Sequence, residues 1–205
     1  MFGNGATLKM QGETIIALYP NANDVVIKDI IFDGAGYTCD GIYVNRATAD
    51  QYGLRIINCK FKNLRKGIVL SGTYYTHDLL IKGCEFENID YEAIYLNYVK
   101  NGWVKDCRIK DADENFLDLR YCEKMFVKNI VGLSENRQVD TGIYTQNCKE
   151  MRIVDCWLGG SQGSSGNGIT ITMTDVTPEN IHVERCRIEN AGLSGIFIAY
   201  GSHIY

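Results

Sequence analysis

Between residues 90 and 146 the chain gathers a group of acids, with Arg120 close to one of them. Asp90, Glu92, Asp111, Asp113, Glu114, Asp118 and Asp140 fall in this stretch, and Arg120 lies two residues after Asp118. Two neighbouring carboxylates, one of them holding its proton, make the acid and base of glycosidic hydrolysis. Asp118 with Asp113, Glu114 or Glu92 supplies such a pair. Arg120 suits either a base beside a uronate or a bidentate clamp on its carboxylate. Tyr95, Asn97, Tyr144 and Gln146, with Tyr43 further upstream, offer rings for the apolar faces of sugars and amides for their hydroxyls. The same carboxylates could equally bind a calcium ion, keep surface loops soluble, or pair with the arginine; no other cofactor is called for.

What must position these groups is a repeat. A glycine, an aliphatic, any residue and an apolar residue recur as Gly41-Ile42-Tyr43-Val44, Gly67-Ile68-Val69-Leu70 and Ala93-Ile94-Tyr95-Leu96. The series continues as Phe116-Leu117-Asp118-Leu119, Gly142-Ile143-Tyr144-Thr145, Gly168-Ile169-Thr170-Ile171 and Gly195-Ile196-Phe197-Ile198, with a weaker copy at Ile15-Ile16-Ala17-Leu18. The first aliphatics are spaced by 26, 26, 26, 23, 26, 26 and 27 residues. Between the copies runs a second pattern of period two, as in Leu54-Arg55-Ile56-Ile57-Asn58-Cys59-Lys60-Phe61. Alternation of this kind marks short strands. Asp29, Asn58, Gly83, Asp106, Asn129 and Asp155 fall between two of them, where a sharp bend needs a left-handed backbone; Arg185 departs from the rule.

Each repeat therefore holds three short strands, stable only when copies stack about 4.8 Å apart. The expected fold is all-β: a right-handed single-stranded parallel β-helix of about eight rungs, roughly 35–40 Å long. It reads as one domain over residues 1–205, open at both ends and so a candidate fragment of a longer protein. One inward ladder is Ile42, Ile68, Ile94, Leu117, Ile143, Ile169 and Ile196. A second is Ile30, Cys59, Cys84, Cys107, Ile130, Cys156 and Cys186, with Cys122 and Cys148 aligned elsewhere. The eight cysteines then read as small buried hydrophobes, reduced rather than bridged. No CxxC pair is present, which argues against a structural zinc site.

The pattern resembles the pectin-lyase-like right-handed parallel β-helix superfamily over nearly the whole chain. That resemblance implies a carbohydrate-facing surface, as in pectate lyases, polygalacturonase-type hydrolases, alginate lyases and epimerases, and phage tailspike depolymerases. It also suggests an extracellular or virion-surface location, although no signal peptide is visible. The paired aspartates and histidine motif of the polygalacturonase type are missing, as is the tyrosine-to-histidine signature of alginate epimerases. His77, His182 and His203 read as surface residues away from the acids.

Connection lengths add a direction. After the first strand of each repeat they run 45–53, 71–78, 97–101, 120–124, 146–150 and 172–180, so three short connections are bracketed by longer ones. Short loops make a floor and long loops make walls, which together suit a linear polymer. The expected outward residues of that strand are Tyr43, Val69, Tyr95, Asp118, Tyr144, Thr170 and Phe197.

A different strand presents Leu80, Trp103 and Phe126 on consecutive rungs, flanked by Lys82, Lys105 and Lys128. Such a stripe fits a side-by-side homo-oligomer, or an acidic glycan on the basic flank. A formal net charge of −4 provides no overall field for nucleic acid or an anionic membrane. Two functions follow as expectations. The first is a carbohydrate-active or carbohydrate-binding β-helix acting on a linear, uronate-containing polysaccharide by lyase or hydrolase chemistry. Its catalytic candidates are Asp118, Glu114, Asp113 and Arg120, and its sugar-holding residues Tyr43, Tyr95, Asn97, Tyr144 and Gln146. The second is a non-catalytic rod of a fibre, virion or cell surface.

Overall fold

The computed structural model describes residues 2–9, 13–18, 22–36, 39–46, 48–135, 139–160, 166–199 and 202–204. Among the described residues there are 25 strands and no helix. Every strand pair is parallel, and each strand pairs with its counterpart in the turn above or below. The expected ladder appears in register: Ile16, Ile42, Ile68, Ile94, Leu117, Ile143, Ile169 and Ile196 face one another across eight strands. Those eight strands make the first sheet of a solenoid of about seven turns. The other strands form two further faces that meet at the bends.

The bends follow the expected chemistry. Asp29, Asn58, Asp106, Asn129 and Asp155 all have left-handed backbones, as does Gly83 at φ 63°. Arg185 takes the same conformation at φ 49°. Its side chain reaches back one rung, with Nε 2.6 Å from Oδ1 and Nη2 3.2 Å from Oδ2 of Asp155. Asn129 likewise donates to Asp106 at 2.9 Å. The bend is thus a polar ladder on the outside, with adjacent rungs tied side chain to side chain.

Inside, the faces interlock by volume. Phe32, Phe61 and Phe86 stack with centroids 4.7 and 4.8 Å apart. A β-carbon added at Gly67 would come within 2.6 Å of the Phe86 ring, and one at Gly41 within 2.8 Å of Phe61. The glycine of the repeat is therefore required by a bulky residue across the core. Cys59, Cys84, Cys107, Cys122, Cys148 and Cys156 are buried in the expected columns, and Cys186 is half-buried near the last turn. Their thiols point at backbone carbonyls, as Cys148 Sγ does at 3.3 Å from the Leu119 oxygen.

One buried group was not legible in the pattern. Arg46 is completely enclosed, and its guanidinium donates to the carbonyls of Tyr74 and Tyr98 at 2.8 Å each and to that of Asn97. Burial pushes its pKa down to about 10. It ties its own connection to the next two, and an apolar side chain there would take this donor from the Tyr74 and Asn97 carbonyls, while Tyr98 keeps the Thr76 N–H at 2.9 Å.

Candidate functional site

The first sheet brings the predicted residues together. Tyr95, Asp118 and Tyr144 are in register on neighbouring strands, and so are Asn97, Arg120 and Gln146. Strand alternation puts Asp118 and Arg120 on one face, two residues apart. Arg120 lies back over Asp118, with Nε 2.9 Å from Oδ1 and Nη2 2.8 Å from Oδ2. Its guanidinium carbon is 5.4 Å from the Tyr95 ring centre and 5.6 Å from that of Tyr144. The two rings hold the arginine from either side, and the arginine covers the acid.

That geometry corrects one expectation. Asp118 points outward but has 0% exposure, whereas the Arg120 side chain keeps 37%. A carboxylate sealed under a guanidinium and two rings touches no solvent or polymer. Burial pushes the Asp118 carboxyl up, and Arg120 offsets only part of that. Arg120 is in turn held above its ordinary value by Asp118, so it is unsuited to act as a base. Asp118 takes the side-on edge of the guanidinium, so two of its five N–H donors are spent on that carboxylate and three lie outside the pair.

Beside this unit lies a second acidic pair. Glu92 is buried at 4% exposure, with an oxygen 2.7 Å from Lys66 Nζ. The Lys66 ammonium is also 5.2 Å from the Tyr95 ring centre. Glu114, one turn on and half-buried, faces Glu92. Burial comes first, then the charge and hydrogen bond of Glu92, in pushing the Glu114 carboxyl up; Lys66 pulls it part of the way back. Glu114 therefore keeps its proton to higher pH than an ordinary glutamate. A depression of about 210 Å³ opens between the two units, lined by Glu114, Asn115, Arg120, Asp140, Thr141 and Tyr144. Asp113 does not line it. Asp113 follows the previous turn, its backbone N–H donating to the Ile89 carbonyl at 3.1 Å.

The remaining candidates are distributed unevenly. Asn97 donates to the Gly72 carbonyl at 3.3 Å, so it serves the connection at least as much as the face. Gln146 is half-buried next to Arg120. Tyr43 is in register with Val69, two strands from Tyr95. Among the described residues no group of three or more His, Cys, Asp or Glu side chains converges on one point where a metal ion would be held. The acids in view are engaged elsewhere: Asp118 with Arg120, Glu92 with Lys66, and Asp111 with the backbone N–H of Glu135 at 2.8 Å.

The floor connections hold aromatic groups that the reading from residue types passed over. Tyr98 and Tyr121 stack at 4.8 Å, and Tyr75 meets Tyr98 edge-on at 5.6 Å. Tyr52 stacks on His77 at 4.7 Å. His77 is more than a loop residue, because its Nε2 is 3.0 Å from Asp50. Tyr121 donates to Asp175 at 3.2 Å, which ties the long 172–180 connection to the floor. A signal was available: Tyr98 and Tyr121 each fall four residues after the first aliphatic of their repeat, in the left-handed conformation. The side chain of His203 lies outside the described residues.

Fold and site together define a β-solenoid with a polar, ring-lined face on its first sheet. Residues 40–205 match the family described as the right-handed beta helix region, and the chain belongs to that family. No curated protein matches it. Among solved structures it is similar to the A-module of mannuronan C-5 epimerase AlgE4 of Azotobacter vinelandii, at 12% identity and a TM-score of 0.30, covering 100% of this chain and 82% of that one.

Proposed function

We propose that the protein binds a linear, uronate-containing polysaccharide on its first sheet and cleaves it with Glu114 as the acid. The observation that carries this reading is the pairing, around one depression, of a carboxyl that keeps its proton with an arginine whose end-on edge is open. Arg120 would receive a uronate carboxylate on that edge, while Tyr95 and Tyr144 bracket it and present their rings to the sugar. Glu114 would pass its proton to the glycosidic oxygen as the carbon–oxygen bond breaks. Asp140, on the same depression, would take a proton from the water that attacks the anomeric carbon. Asp118 would act through Arg120, as a positioning residue. Asp113 drops to a supporting place.

The test is chain length. A panel of uronate and neutral polysaccharides is incubated with the protein and sized, and ultraviolet absorbance is read in parallel. Shortened uronate chains without new absorbance are expected, since hydrolysis leaves no unsaturated uronate. Shortened chains with that absorbance would replace hydrolysis by elimination. Uronate chains of unchanged length would overturn the cleavage.

A further inference from the structure

A second face of the solenoid has features that the first-sheet site does not use. On the strand before the bend, Arg55, Leu80, Trp103, Phe126 and Arg152 stand in register on consecutive turns. Two positions along, Lys82, Lys105 and Lys128 form a parallel column. Trp103 is 42% exposed, and its ring lies 4.6 Å from that of Phe126. Lys105 stands over the Trp103 ring at 4.9 Å and Arg152 over Phe126 at 5.7 Å. A shallow groove of about 300 Å³ runs past Arg55, Leu80, Asn101, Trp103 and Lys105, with one acid, Asp78, which accepts from Asn101.

Charge decides what this groove suits. The chain carries −4 overall, yet this face presents five cations. Acids reach two of them: Asp155 is 3.8 Å from Lys128, and Glu184 is 2.9 Å from Arg152. Among the described residues Arg55, Lys82 and Lys105 face no carboxylate at ion-pair distance. A second copy packed symmetrically here would set lysine against lysine, a like-charge contact that disfavours that partner. A linear polyanion instead finds a cation on successive turns about 4.8 Å apart, close to the rise of one pyranose ring in an extended glycan. The exposed indole beside them offers a stacking surface for the apolar face of a sugar.

We infer that this face is a second binding site for an anionic polysaccharide, separate from the depression on the first sheet. It would hold a long chain on the rod while another part of that chain reaches Glu114.

The test titrates the full chain with galacturonate oligomers of defined length, in the Glu114→Gln background so that they stay intact. Calorimetry counts sites, and the fluorescence of Trp103, read with the other tryptophan replaced as Trp157→Phe, reports on this face. Two sites per chain are expected. The combined Lys82→Gln, Lys105→Gln and Lys128→Gln variant should lose one of them, with affinity there falling about tenfold and its salt dependence flattening. If the first-sheet reading fails, a single site remains, and it is the one these substitutions weaken. Unchanged binding and salt dependence in the triple variant would overturn the inference. Equal binding of neutral oligomers, or of single-stranded DNA of matched charge, would overturn it too. So would a sedimentation dimer that Trp103→Ser dissociates, since the face would then be an interface between copies.

Discussion

The ring of Phe116 occupies the space that a side chain at Gly132 would need: a β-carbon there would come within 2.3 Å of the ring's Cδ2. In the other turns the volumes are reversed. Phe86 faces Gly67 and Ile188 faces Gly168, with the large residue on the strand after the bend and the glycine on the first sheet. Phe116 opens the turn that runs from Leu117 to Ile143, and that turn is the one that inverts the pair. The core holds its packing density by exchanging large and small across the interior.

This complementarity predicts strong coupling. Phe116→Gly alone opens a cavity and should cost about 3–5 kcal/mol. Gly132→Leu alone overpacks the same place and should cost about 1–3 kcal/mol or more. Combined, the two should recover at least ~1 kcal/mol of the summed loss. Urea denaturation of the three variants and the parent measures it. Simple additivity would show that the two positions are independent.

Arg46 is the second stability test. Its removal takes the guanidinium donors from the Tyr74, Asn97 and Tyr98 carbonyls, of which Tyr98 keeps the Thr76 N–H at 2.9 Å. Arg46→Met, which keeps most of the volume, should destabilise by about 2–4 kcal/mol, because unpaired buried acceptors outweigh the relief of desolvating a charge. Tm should fall by about 2–4 °C for each kcal/mol. Hydrogen exchange should accelerate first in the 71–78 connection. A variant as stable as the parent would mean that water replaces the guanidinium.

Arg185 gives a cancellation instead. An arginine at φ 49° costs on the order of 1 kcal/mol. Its exposed pair with Asp155 returns little. Arg185→Asn keeps the bend tolerable and loses the pair, so Tm should stay within about 2 °C of the parent. A larger loss by thermal melting would assign the pair a greater weight than exposed pairs usually carry.

Glu114 adds a pH dependence. Its folded pKa is raised, so the folded state binds more protons than the unfolded chain between the ordinary glutamate value and the raised one. Its contribution to stability is fully present below the ordinary value and is lost as pH climbs through the folded value. Glu114→Gln removes the repulsion with Glu92 and should flatten that slope. At neutral pH it should stabilise by no more than about 1 kcal/mol, because Glu114 is only half-buried and solvent screens the repulsion. Melting curves from acid to neutral pH check the sign. A parent that grows more stable across that window than the variant would contradict it.

The stacking order of the fold was written in the spacing of Ile42, Ile68, Ile94 and their successors, because a parallel solenoid repeats one environment at each turn. The bends were legible for the same reason: one backbone conformation selects one small set of residue types. The site was legible only as a neighbourhood. Alternation placed Asp118, Arg120, Tyr95 and Tyr144 on one face correctly. It could not say that Arg120 folds back over Asp118, since that depends on side-chain reach rather than strand register. Arg46 belongs to the 45–53 connection, whose length differs from its neighbours and breaks the pattern that reveals burial; the Tyr98–Tyr121 stack was present in the spacing, but at connection positions that strand alternation does not cover. The exchange between Phe116 and Gly132 pairs positions in different strands, and only the three-dimensional register brings them together.

The most direct test of the polysaccharide reading is steady-state cleavage of oligogalacturonate by the parent, Glu114→Gln and Arg120→Gln, with kcat and KM separated. Loss of the acid should lower kcat by about 10²–10⁴-fold with little change in KM. Loss of the clamp should chiefly raise KM. Full turnover in Glu114→Gln would contradict the assignment of the acid, and with it the place of the depression as the catalytic centre.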